Sequence, residues 1–107
     1  MIARLGYFEG LTEEQKAAQE DNFRRRFRSA ITSQPGLVAL FAMENPNGDR
    51  VSVSIWESEE ALKLGGARAN ATPLLPGQRR EAIPEATRVE IWNVRELFLP
   101  REAAAQV

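Results

Sequence analysis

In the stretch "RVSVSIWE", Ser52, Ser54 and Trp56 stand at every second position, so any strand that carries them presents them on one side. Small polar residues beside a tryptophan leave volume that a packed core fills with valine or leucine. That side is therefore either a seal over a core or the wall of a pocket holding two hydroxyls. Tyr7, the one tyrosine of the chain, brings a phenolic hydroxyl that serves either as a core residue with one hydrogen bond or as a donor to a ligand oxygen. Arg4 lies on the opposite side of the same segment, so only one of the two can face a given site, and Tyr7 is taken as the candidate. Arg26, beside the apolar stripe of a helix, and Arg68, after a glycine pair and read as part of a mobile loop, complete the set. An aromatic wall, hydroxyls and cations are the equipment of a pocket for a small apolar ligand. No catalytic residue stands out.

The inventory excludes more than it offers. The chain has 107 residues with no cysteine and no histidine, which removes disulfides, thiolate and imidazole metal sites, Cys or His nucleophiles and His-based triads. Neither a metal nor another cofactor is expected. Fourteen basic residues stand against fifteen acidic ones, a net charge of -1, so no electrostatic pull toward nucleic acid or an anionic membrane exists. The run "FRRRFR" at 23–28 interleaves basic and aromatic residues, but Phe23 and Phe27 fall on the inward stripe, and Glu20 and Asp21 lie four residues before Arg24 and Arg25. It reads as a solvated, ion-paired face. No signal-peptide core and no apolar run of about 20 residues occurs, so the chain is read as soluble and cytoplasmic.

The elements that must position these residues are legible in order. "IARLGYF", 2–8, mixes apolar and β-favouring residues and reads as a short strand. Thr12 and Gln15 form a capping-box pattern that starts a helix near Glu13, which carries Phe23, Phe27, Ala30 and Ile31 and ends at about Ser33, before Pro35-Gly36. "LVALFAM", 37–43, is read as a strand buried on both faces, joined through "ENPNGD" to the alternating strand that ends at Trp56. Ser58 caps a second helix that Gly65-Gly66 should weaken, and prolines at 73, 76 and 84 break the segment beyond it. "TRVEIWNVREL", 87–97, alternates again as a fourth strand, with Asn93 suited to an interface. The prediction is an α+β, ferredoxin-like β-α-β-β-α-β domain over residues 1–99 with one antiparallel four-stranded sheet, followed by a tail at 100–107 that is frayed or docks at an interface. Both helices cover one face of the sheet, leaving Val51, Val53 and Ile55 for a second subunit to cover.

From "IARLGYFEG" through "QPGLVALFAMENPNGDRVSVSIWESEEAL" to "RVEIWNV" the chain resembles the dimeric α+β-barrel superfamily, in particular antibiotic biosynthesis monooxygenase-like domains. Pro35-Gly36-Leu37 and the run Trp56-Glu57-Ser58-Glu59-Glu60-Ala61 carry most of the likeness. The resemblance implies a homodimer whose two sheets close into a barrel with helices outside. It also implies a cofactor-independent monooxygenase acting on a small apolar, aromatic metabolite, whose deprotonated phenol itself reduces dioxygen, with Trp56 matching the family tryptophan. The family asparagine falls near Ser52, where this chain has serine, and the haem-degrading members' histidine is absent. The competing reading is a non-catalytic homodimeric ligand-binding or interaction module of the same fold. An RNA-binding sheet of the same element order is set aside, because the third strand shows valines and serines where such sheets show aromatic and basic residues.

Overall fold

A computed structural model describes residues 1–100; the expected tail beyond them lies outside the described residues. The strands are β1 (Ile2–Phe8), β2 (Leu37–Glu44), β3 (Arg50–Trp56) and β4 (Arg88–Asn93), and they form one antiparallel sheet in the order β2-β3-β1-β4. The helices are α1 (Glu13–Asn22), α2 (Arg28–Thr32) and α3 (Glu59–Ala71), with a π-helical segment, Phe23–Phe27, joining α1 to α2. This is the predicted ferredoxin-like α+β arrangement.

Local chemistry sets the helix starts. The Gln15 backbone N–H donates to Thr12 Oγ1 at 3.1 Å while the Thr12 N–H donates to Gln15 Oε1 at 2.9 Å, the reciprocal box the sequence announced. Ser58 Oγ accepts from the Ala61 N–H at 3.1 Å and starts α3.

Four expectations are corrected. α3 is not weakened at Gly65-Gly66 but runs on to Ala71, so Arg68 lies within a helix and not on a loop. The first long helix widens over Phe23–Phe27, where the Arg28 N–H reaches back five residues to the Phe23 carbonyl. The wider turn rotates the stripe, so Arg26 is buried while Phe23 stands exposed. β2 is an edge strand with no fully buried residue, not one buried on both faces. β4 stops at Asn93, short of the predicted 97.

Register divides the sheet into two sides. Ile2, Leu37, Leu40 and Trp56 face the helices and pack with Ile31, Leu62 and Ala69. Ala3, Val53 and Ile55 face the other way, packed with Leu5, Ala39, Val51 and two residues beyond the end of β4, Val94 and Leu97. Val53 and Ile55 are therefore already buried by their own chain. The apolar side chains left exposed on that side are Phe41, Met43 and Trp92, on the two edge strands. Asn93 pairs with Ile2 and so belongs to the helix-facing side, away from the surface a sheet-to-sheet interface would use.

Candidate functional site

Ser52, Ser54 and Trp56 do lie on one side, and that side faces the helices, as their period-two spacing allows. Trp56 sits deepest, only 1% exposed, among Ile31, Leu62 and Ala69. Its ring edge lies against α3 at Gly65, where an added Cβ would come within 2.4 Å of Cζ3. The glycine that reads as a helix breaker is thus the notch that admits the indole. Trp56 Nε1 is buried with no hydrogen-bond acceptor. A buried N–H without a partner costs about 1–3 kcal/mol, and native structures hold few such groups.

Ser54, 9% exposed, lies across from Arg4 in the β1–β3 register, and Ser52 lies across from Gly6. Arg4, passed over in favour of Tyr7, is therefore the β1 side chain that shares the serines' side. Its guanidinium folds along the strand over Gly6, where an added Cβ would stand 3.1 Å from Arg4 Nη1, 3.6 Å from Ala86 Cβ and 3.7 Å from Phe8 Cε2. Relative parity along the strand was readable from the sequence, since Arg4 and Tyr7 had to oppose each other. Which parity faces the helices is a matter of register with β3, which no local pattern announces.

Tyr7 points to the opposite side. Its hydroxyl donates to Glu90 Oε1 at 2.7 Å, and the Arg88 guanidinium stands 3.6 Å from the ring centroid. The hydrogen bond to the Glu90 carboxylate raises the pKa of the Tyr7 hydroxyl and lowers that of Glu90, so the pair is a neutral phenol donating to an anion. Tyr7 and Trp56 consequently do not meet in one site.

Arg26 is 5% exposed and does not open onto a pocket. Its Nε donates to the Thr72 carbonyl at 3.0 Å, Nη2 to the carbonyls of Asn70 and Thr72 at 3.1 and 2.8 Å, and Nη1 to Asn22 Oδ1 at 2.9 Å. It caps the end of α3, satisfying carbonyls that have no helical partner and placing a cation at the negative end of the helix dipole. Desolvation, with Arg80 nearby, lowers its pKa.

Among the surface hollows formed by the described residues are two near sequence candidates. One, of about 260 Å³, lies between the turn before β2 and α3 and includes Gln34, Gly36, Glu57, Leu64, Gly65 and Arg68. The other, of about 450 Å³, lies at the ends of β1 and β3 and includes Tyr7, Glu9, Met43, Asp49, Arg50 and Arg88. Neither is lined by Ser52, Ser54 or Trp56, so the pocket expected around those three residues is not one of them. The structure thus distributes the six sequence candidates over five places: Trp56 in the core, the serines beside Arg4, Tyr7 on the far side, and Arg26 and Arg68 on separate helical segments. Among the described residues no group of three or more Asp or Glu side chains is arranged to hold a metal ion.

No family model and no curated protein matches the sequence. Solved structures do match the fold. The chain is similar to a mutant of SnoaB, a cofactor-independent oxygenase from Streptomyces nogalater, with TM-score 0.64 and 17% identity over 90% of this chain and 94% of that one. It is similar to a monooxygenase from the gene ActVA-Orf6 of Streptomyces coelicolor, solved with nanaomycin D, with TM-score 0.64 and 19% identity over 92% and 91% of the two chains. A mutant of MhuD with two manganese protoporphyrin IX molecules bound per active site matches with TM-score 0.67 and 18% identity over 94% and 100%. These likenesses show a shared fold, the ferredoxin-like α+β arrangement over nearly the whole chain.

Proposed function

We propose that this protein is a homodimeric, cofactor-independent monooxygenase-like protein acting on a small apolar, aromatic metabolite held on the helix-facing side of the sheet. The observation that carries the reading is the orphaned indole N–H of Trp56, buried yet without an acceptor. A buried polar group of this kind calls for a partner, and a ligand oxygen would supply one. The fold shared with two oxygenases over at least 90% of this chain supports the same reading. The chemistry needs no resident cofactor. An ionised phenol gives one electron to dioxygen, the ring radical and superoxide combine to a peroxide anion that takes back the proton the phenol gave up, and loss of water from this hydroperoxide leaves the quinone. What the protein supplies is a dry site with donors for the phenolate and peroxide oxygens. A haem has no imidazole to hold its iron in this chain, which contains no histidine.

The second reading is a homodimeric ligand-binding module without catalysis. It is favoured by Ser52, which stands where the resemblance places an asparagine, and by the closed packing of Trp56. Oxygen-electrode assays with a panel of anthrones and hydroquinones separate the two. Uptake of dioxygen matched by quinone formation, and lost in Trp56→Phe, supports the oxygenase. Binding of the same compounds without uptake overturns it in favour of the module. The homodimer is supported by Phe41, Met43 and Trp92, exposed on the side the helices leave bare. A monomeric mass by light scattering at micromolar concentration overturns that part.

A further inference from the structure

We propose that the Arg4 guanidinium is an anion subsite, so that the ligand is a planar aromatic bearing one anionic oxygen group, a carboxylate or a phenolate. The proposal deepens the monooxygenase-like reading, on which it rests, by giving the ligand a charge and a place.

Arg4 sits mid-strand on the helix-facing side, between Ser54 on β3 and Ile91 on β4. Its guanidinium lies over the backbone of Gly6, in space that any side chain there would take, with Phe8 and Ala86 as apolar neighbours. Ser52 and Val89 flank Gly6 in the register, so a hydroxyl borders the cation on one side and an aliphatic surface on the other. Val89 and Ile91 expose that surface on the same side of β4. The roof at this end is not sealed, because α1 contributes no buried residue and is tied to the β2–β3 hairpin by polar contacts such as Arg50 to Glu20 at 2.7 Å.

The charge is what makes the place specific. Among the described residues every other inset cation has its partner: Arg50 pairs with Glu44 and Glu20, Lys16 with Glu44, and Arg26 caps carbonyls. Among the described residues the half-buried Arg4 has no carboxylate or carbonyl partner, while Asp21 is engaged by Arg25, and Glu9 and Glu90 by Arg88. A partly desolvated guanidinium left unpaired on an apolar floor favours a ligand that supplies the anion, because its planar fork gives two charge-assisted hydrogen bonds to a carboxylate. A ligand of the same shape without the charge leaves that fork unmet and is discriminated against.

Calorimetric titration of the full chain with 2-naphthoate and with its neutral analogue 2-naphthalenemethanol tests this. Naphthoate is expected to bind at least about tenfold more tightly than the alcohol. Arg4→Met should weaken naphthoate by about 10- to 100-fold, the effect of losing hydrogen bonds to a charged group, and leave the alcohol unchanged. Arg4→Lys should restore part of the loss. 2-Naphthol separates the two anion sources, both of which support the subsite: tightening as its hydroxyl ionises, with naphthoate weak, makes the anion a phenolate, whereas tight naphthoate makes it a carboxylate. Equal affinity for acid and alcohol, unmoved by Arg4→Met, overturns the subsite and leaves the ligand-binding reading standing. Binding of neither probe overturns both. Should Arg4→Met fail to fold by circular dichroism, the acid-against-alcohol comparison on the unmutated protein decides the question.

Discussion

The two sides of the sheet are built from the same strands at alternate positions, yet they are finished differently. On the helix-facing side, α2 and α3 close over the Trp56 end with an indole, an isoleucine and a leucine, whereas the Arg4 end beyond them is half open. On the other side Val94 and Leu97 are, among the described residues beyond β4, the ones that pack over the centre, and Trp92 is left 57% exposed with Phe41 and Met43. The first side uses its apolar residues within the chain, and the second holds several of them outward. A stable fold and an unfinished surface can thus share one four-stranded sheet, and substitutions on the two sides should fail in different ways.

The largest effect belongs to the closed end. Trp56→Ala removes the biggest fully buried side chain and should destabilise the fold by about 3–5 kcal/mol. For a domain of this length that corresponds to a fall in Tm of about 12 °C or more, read by thermal denaturation. Gly65→Val attacks the same contact from α3, since even a Cβ there meets the indole at 2.4 Å, and overpacking of this kind costs about 1–3 kcal/mol. If either variant melts within a degree or two of the parent, Trp56 is not the keystone of this side.

The open side should respond through assembly instead. Trp92→Asp places a charge on an exposed position, so the folded chain itself should change by no more than about 0.5 kcal/mol. In the proposed homodimer, an aromatic at the centre of an interface is worth about 2 kcal/mol or more, so dissociation should rise by about 30-fold. Sedimentation at several concentrations reads the second quantity and urea denaturation of the dissociated chain the first. A variant that unfolds as badly as Trp56→Ala would erase the distinction between the sides.

Much of the fold was legible because its signals are local. Thr12 with Gln15, Ser58 before a pair of glutamates, and the alternation around Val53 each identify an element without knowledge of its neighbours. The site was less so, because its determinants are contacts between elements. Gly65 reads as a flaw in a helix until the indole that needs it is in place. Arg26 moves inward because the chain takes a wider turn at Phe23–Phe27, and no composition rule announces that turn. The choice between Arg4 and Tyr7 depended on which face of β1 meets the helices. Phe41 and Met43, in an apolar run that looked buried on both sides, stand exposed because β2 is an edge strand.

The smallest effect concerns the edge of the open side, where Tyr7, Glu90 and Arg88 form one cluster. The Tyr7 hydroxyl first, then the Trp92 indole as a second hydrogen-bond donor and Arg88 through its charge, hold the Glu90 carboxyl below its ordinary value of 4.5. A carboxyl whose pKa is lower folded than unfolded contributes stability that is full above the unfolded value and disappears as pH falls through the folded one. Glu90→Gln should therefore be slightly less stable than the parent at pH 7, with the gap closing on acidification below about pH 4.5 as the parent loses the same contribution. Both groups are accessible to water, so the effect should be far below that of Trp56→Ala and should shrink in high salt. Urea midpoints of both proteins at pH 7 and pH 3 test it. A gap that persists unchanged at pH 3 would mean that Glu90 acts through packing on the sheet surface and not through its charge.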